Sequence, residues 1–299
     1  MTPSDASALP TAWHGAGARV ACIAGKVFVR TEGDLAARTP VVLLHGFPTS
    51  CHDYVRVWPR LARTRPLVTL DFLGFGASDK PADFGYGLHE QADVVLEVLA
   101  RLGVARAHVV AHDMGTSVAT ELCARRERGL LPFELASLTL TNGSVFVEMA
   151  ALRPEQKILQ HETLGPLFAR LASYSVFRRS MRRLFAHPDA IDDREIREMW
   201  TLVSRADGAR RMALTIRYIE DRARFARRWI GALERLDRPT LILWGAKDPV
   251  AVLPIGERLA KTVRGAKLRV MPELGHYPQL EGPDVFAAEL IAFLDELAP

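Results

Sequence analysis

Six short apolar runs, residues 41–44, 67–70, 108–111, 135–141, 240–243 and 268–271, are each bounded by turn-forming residues and read as buried strands. Between them, residues 54–62, 90–102, 117–126, 255–263 and 283–297 space their apolar positions nearer the helical period. Regular alternation of strand and helix predicts an α/β protein with a doubly wound, mainly parallel sheet. Ahead of this pattern, residues 19–24 and 26–31 read as two strands joined at Gly25, an antiparallel edge. Residues 1–17 read as a loose tail.

Between about Val145 and Arg235 the strand signals stop, and helical spacing dominates in residues 167–184, 194–204 and 210–228. This is the pattern of a helical cap inserted into the sheet. Asp237-Arg238-Pro239 marks the return to strands, since proline turns the residue before it away from helix. The expected organisation is therefore a tail (1–17), a first core segment (18–144), a helical cap (145–235) and a second core segment (236–299).

Composition changes this picture little. With 299 residues and 48% hydrophobic content the chain can bury a large core. No apolar run approaches the length of a membrane span, and Met1 to Gly17 lacks the basic-then-apolar pattern of a secretory signal, so a cytoplasmic protein is expected. Cys22, Cys51 and Cys123 are scattered without metal-like spacing, which argues against a zinc site or disulfide framework. The net charge is +4, yet residues 151–235 carry 18 Lys/Arg against 11 Asp/Glu. That local excess reads first as a solvated helical face and second as a surface for an anionic membrane; no nucleic-acid module is recognisable.

The chemistry concentrates in Val109-Val110-Ala111-His112-Asp113-Met114-Gly115. A strand ending at Ala111 and a helix starting near Gly115 would leave Asp113 on a tight turn above the sheet, the place of a nucleophile elbow. A carboxylate there can attack an sp3 carbon and become an ester; an aspartate at that place also serves as a helix cap. Two later residues favour the first role. Asp248 follows the strand at 240–243, where a carboxylate faces the crevice at the strand ends. His276 lies on the loop after the last strand, and an imidazole oriented by Asp248 can take a proton from water. Nucleophile, acid and histidine come in the order such sites use. His45-Gly46-Phe47-Pro48 follows the strand at 41–44, so the Phe47 and Met114 amides are the candidate oxyanion hole.

These motifs, with Asp71-Phe72-Leu73-Gly74-Phe75-Gly76-Ala77-Ser78-Asp79-Lys80-Pro81, resemble the aspartate-nucleophile branch of the α/β-hydrolase family, which includes epoxide hydrolases and haloalkane dehalogenases. The resemblance covers about residues 19–297. It extends to the mesoderm-specific transcript group of that family in residues 71–76, 225–233 and 276–281. It implies an α/β-hydrolase fold and a two-step hydrolysis through a covalent ester, with no metal or organic cofactor and with water as co-substrate.

Dehalogenases usually place halide-binding N–H donors where this chain has Phe47 and Met114, which ranks dehalogenation second unless a cap residue such as Trp200 replaces them. Epoxide hydrolases resemble the chain better in His-Gly-Phe-Pro, and they open the ring with cap hydroxyls. By that resemblance Tyr218 is the expected ring-opening donor, with Tyr174 or His161 as a second. Phe47, Met114 and Trp200 suggest a small hydrophobic substrate, and His45 and Trp200 are the expected pocket residues. A third reading keeps the fold as a non-catalytic or membrane-associated binding protein.

Overall fold

The alternating pattern closes into one sheet in a computed structural model that describes residues 11–143 and 145–297. Its strands are β1 (Gly17–Cys22), β2 (Gly25–Glu32), β3 (Val41–Leu44), β4 (Leu67–Leu70), β5 (Arg106–His112), β6 (Glu134–Thr141), β7 (Thr240–Gly245) and β8 (Lys267–Met271). The order is β1-β2-β4-β3-β5-β6-β7-β8. β2 runs antiparallel to β1 and β4, and the other neighbours are parallel.

The central strands are apolar throughout because both faces are covered. Helices α1 (Thr11–Gly15) and α2 (Trp58–Leu61) precede α3 (Leu88–Arg101) and α4 (Met114–Glu127). The insertion carries α5 (Pro154–Gln160), α6 (Leu164–Arg170), α7 (Tyr174–Arg182), α8 (Asp193–Ser204), α9 (Gly208–Thr215), α10 (Tyr218–Arg224) and α11 (Ala226–Glu234). After β7 come α12 (Leu253–Thr262), α13 (Pro278–Glu281) and α14 (Pro283–Asp295). Successive β3 side chains point to opposite faces. Val42 and Leu44 join a core with Val98 of α3, Val118 of α4 and Ile255 of α12. Val41 and Leu43 join Trp58, Leu61, Phe286 and Leu290 of α2 and α14.

The structure departs from the hydrophobic pattern in three places. Residues 1–10 and Ser144 lie outside the described residues, but the expected tail is already ordered at α1. Trp13 is buried there, edge-on to Trp58 with ring centroids 5.2 Å apart and the Arg30 guanidinium 4.1 Å over its ring. One large apolar residue in a five-residue helix leaves no period to read. Residues 54–62 shorten to a 3-10 turn (Cys51–Tyr54) and α2. The long helices expected over 167–184 and 210–228 are broken: the first into α6 and α7 at the N-cap Ser173, the second into α9, α10 and α11. Ile216 and Arg217 keep right-handed helical angles at one break, so the apolar period runs on through the turn.

Two contacts fix the insertion to the helices that cover the sheet. Arg56 Nη1 donates to the carbonyls of Ala190 and Leu280, at 2.9 and 2.8 Å, while its Nε donates to Glu195 at 2.6 Å. On the other side, buried Glu121 of α4 accepts from Arg228 Nε and Nη2 and from Trp229 Nε1 of α11, each at 2.8 Å. Burial would raise the Glu121 pKa, but hydrogen bonds from Arg228, Trp229 and Arg125 outweigh it and hold it at about 2.

A carboxylate depressed from its ordinary value stabilises the fold above pH 4.5 and loses that contribution as pH falls towards 2. Glu121→Gln should cost about 3 kcal/mol in urea unfolding at neutral pH, as expected for breaking a buried charge cluster. The gap from wild type should close between pH 4.5 and 2; a pH-independent gap would overturn this account.

Candidate active site

β5 ends at His112 and α4 begins at Met114, so Asp113 alone turns the chain. Its backbone sits at φ 45°, ψ −110°, a conformation that costs a residue with a Cβ about 1–3 kcal/mol. The surroundings enforce it. A Cβ on Gly46 would stand 2.6 Å from the Asp113 Cβ, and one on Gly115 would stand 2.7 Å from the carbonyl oxygens of Leu44 and His45. The Asp113 carbonyl accepts from Thr116 N–H at 3.1 Å, Thr116 Oγ1 at 2.6 Å and Arg222 Nη2 at 3.0 Å.

Although Asp113 occupies the N-cap position of α4, its side chain makes no capping hydrogen bond. The carboxylate instead accepts the Phe47 N–H on Oδ2 at 2.8 Å and borders a cavity of about 230 Å³. Phe47 and His276 line the same cavity. One carboxylate oxygen is thus held by a backbone amide beside an imidazole. Met114, the first residue of α4, is buried next to Asp113.

His276 Nδ1 donates to Asp248 Oδ2 at 2.7 Å. That oxygen also accepts Asn142 Nδ2 at 2.8 Å, and Asp248 Oδ1 accepts the Val250 and Ala251 amides at 2.7 and 2.9 Å. Burial opposes charge on Asp248, but the His276 charge and these hydrogen bonds lower its pKa below the usual value. Burial likewise pulls the His276 pKa down; the Asp248 charge and hydrogen bond, with the Asp113 charge, outweigh it and raise it to about 9. The His276 carbonyl accepts His112 Nε2 at 2.7 Å, and burial lowers the His112 pKa to about 4, leaving a neutral ring that fixes the loop.

The other expected site residues divide. Trp200 lines the cavity, packed on Phe177 with ring centroids 5.4 Å apart. Tyr218 does not line the cavity, which corrects its expected place as the ring-opening donor: it is buried, with its ring 5.8 Å from that of Phe47 and 4.6 Å below the Arg222 guanidinium. Burial and the nearby Asp113 charge raise its pKa, so the phenol keeps its proton.

Three further expectations need correction. His45 does not line the cavity: its Nε2 accepts the Phe72 N–H at 3.0 Å and Nδ1 donates to the Gly46 carbonyl at 2.8 Å, so it is a buried strut. Tyr174 points to the Asp193 carbonyl at 3.2 Å and lies under Arg197, away from the cavity. His161 is exposed, its Nδ1 3.2 Å from the Thr163 hydroxyl. Both sit on insertion segments whose inward faces are set by packing, which helical spacing does not orient.

Two residues escaped sequence reasoning. Asn142, at the end of β6, donates to Asp248 and accepts the Gly245 N–H at 2.9 Å. Its place at a strand's C-terminal end was a readable signal. Arg222 is 5% exposed, donates from Nε to Ser117 Oγ at 2.7 Å and stands 3.8 Å from Asp113 Oδ1. It follows Tyr218 by four residues, hence on the same helical face, but among many cap arginines nothing marks it as the buried one.

Comparison with known proteins identifies the family and the fold. Residues 39–283 match the family described as alpha/beta hydrolase fold. The chain is 43% identical over 284 residues to a protein of Mycobacterium tuberculosis named "Putative hydrolase LipZ", covering 94% of this chain and 96% of that protein. It is 35% identical over 262 residues to the mesoderm-specific transcript protein of Mus musculus, covering 85% and 78% of the two. Among solved structures, the haloalkane dehalogenase DbeA of Bradyrhizobium elkani has a TM-score of 0.81 at 20% identity, covering 94% and 98%. The epoxide hydrolase CorEH has a TM-score of 0.78 at 18% identity, covering 94% and 99%. At such identities the structural likeness speaks for the fold.

The raised His276 pKa depends partly on Asp113. In NMR titrations wild-type His276 should ionise near pH 9, and Asp113→Asn should shift that value down. Because the folded pKa lies above the ordinary 6.5, this pairing stabilises the fold below pH 6.5 and loses its effect as pH rises through 9. Arg222→Met should cost about 3 kcal/mol in urea unfolding, since it strips a buried hydrogen-bonded cation from the elbow; a change below 0.5 kcal/mol would remove Arg222 from this role.

Proposed function

The chain belongs to the α/β-hydrolase fold family and is a hydrolase of that fold, and from this premise we propose that Asp113 attacks an electrophilic sp3 carbon to form a covalent ester that His276 then helps water to cleave. The observation that carries this reading is the Asp113 carboxylate itself. It faces the cavity with Oδ2 held by the Phe47 amide, makes no helix cap, and shares the cavity wall with the His276–Asp248 pair.

The substrate we favour is an epoxide. Asp113 Oδ1 attacks a ring carbon, the carbon–oxygen bond opens, and the leaving oxygen takes a proton from the His276 imidazolium, which lines the same cavity. Ester formation removes the Asp113 negative charge, one of the influences that raise the His276 pKa. His276 therefore loses its proton more readily at the point where a neutral base is needed. It takes a proton from water, the hydroxide adds to the Asp113 carboxyl carbon, and the Phe47 and Met114 amides hold the oxyanion. Collapse breaks the ester bond, the departing oxygen takes the proton from His276 to complete the vicinal diol, and the new carboxylic acid returns its proton to His276, which restores the carboxylate.

The walls support an apolar substrate, because Leu159, Phe168, Phe177, Met181, Trp200 and Met212 line the cavity. Dehalogenation is the second reading. It is favoured by Trp200, whose indole N–H belongs to a residue of the cavity wall.

The test is to trap the ester. His276→Ala incubated with panels of epoxides and haloalkanes should gain a covalent mass on the peptide containing Asp113, and Asp113→Asn should not. An adduct from epoxides alone supports ring opening, and one from haloalkanes alone supports dehalogenation. A folded variant that gains mass from neither panel refutes the covalent mechanism for both classes.

A further inference from the structure

We infer that the outer face of α6 and α7 is a docking surface for an anionic phospholipid bilayer, placed at the mouth of the cavity. The first observation is apolar. Leu164, Leu167 and Leu171 recur at i, i+3 and i+7 along α6 and its C-cap, yet they are 51%, 55% and 70% exposed. An apolar stripe at helical spacing normally turns inward; this one faces out, while Gly165 and Ala169 make the buried side. Val176, the third residue of α7, is 52% exposed. Half of the ten large apolar residues exposed among the described residues fall between positions 158 and 176. Clustering of this kind marks an interaction surface, whereas isolated exposed residues need no explanation.

The second observation is electrostatic. Residues 154–183 contain six Lys/Arg against two Asp/Glu. Arg178 and Arg182 are held by Asp193, but exposed Lys157, Arg170, Arg179 and Arg183 form no ion pair among the described residues. Arg179 and Arg183 follow Val176 at i+3 and i+7, so cations continue the apolar edge along one face of α7. They also border a shallow basin with Arg178, Arg182, Ser175 and Phe185. Of the two acids, Glu155 is engaged by Arg153 and Ser180 within the cavity wall, which leaves Glu162 as the exposed one.

The third observation joins the surface to the site. Leu171 and Val176 are exposed and also line the cavity that holds Asp113 and His276. A leucine-rich stripe flanked by unpaired cations is the pattern of helices that lie in the headgroup region, where apolar side chains enter the acyl boundary and cations meet lipid phosphates. No helix among the described residues is long and apolar enough to cross a membrane, so the contact is peripheral. The cavity would then open towards the bilayer. On the hydrolytic reading above, its substrate is an apolar compound drawn from the membrane.

The experiment is flotation of the full chain with vesicles of phosphatidylcholine alone or mixed with phosphatidylglycerol, which reads binding without turnover. Wild type should float with the anionic vesicles about tenfold more than with the neutral ones, and raised salt should weaken this. Leu164→Gln with Leu167→Gln, and separately Arg179→Glu with Arg183→Glu, should each lower anionic binding about tenfold while circular dichroism stays native. Wild type that stays with the soluble fraction overturns the proposal. So does a self-associated wild type that the leucine variant turns into monomer, because a second copy would then cover the stripe. Failure here leaves trapping of the Asp113 ester unaffected, and the reverse also holds.

Discussion

The site depends on one packing constraint: Asp113 is forced to positive φ between two backbone segments that admit only glycine at Gly46 and Gly115. The strain is offset because the N–H, the carbonyl and the carboxylate of Asp113 are each engaged. The Asp113 carbonyl receives Thr116 and Arg222, its N–H reaches Thr141 in β6, and its carboxylate takes the Phe47 amide. The same constraint lifts the carboxylate away from α4 and into the cavity. A relaxed turn would return it to the ordinary work of capping a helix.

Charge then couples the groups that packing brings together. His276 sits between two carboxylates, Asp248 by direct hydrogen bond and Asp113 through space, and its raised pKa reflects both. Asn142 and two amides satisfy the remaining oxygen sites of Asp248, so the acid is fixed in one orientation. In the proposed cycle the charge on Asp113 disappears when the ester forms, which shifts His276 from cation towards base at the step that needs it.

The insertion contributes more than a roof. From α10 it supplies Tyr218 and Arg222 to the underside of the elbow, and α11 is locked to α4 through Glu121. Its opposite edge, α6 and α7, leaves leucines and arginines outward around the cavity mouth. One side of the insertion is therefore tied into the core, and the other presents the surface inferred to meet lipid.

How far all this was legible depended on whether the controlling interactions are local. Short apolar runs, the tight turn around Asp113 and the order Asp113, Asp248, His276 are properties of neighbouring residues along the chain, so the sheet and the three polar groups at its edge could be read directly. Arg222 and the exclusion of Tyr174, Tyr218, His161 and His45 could not. Each depends on which face of an element meets the core, and helical spacing defines a face without saying where it points. The amino-acid sequence by itself determined the scaffold and the carboxylate placed on it. Only the tertiary structure decided which side chains converge there, because burial and hydrogen-bond partners arise from segments more than a hundred residues apart, as Arg222 and Asp113 are.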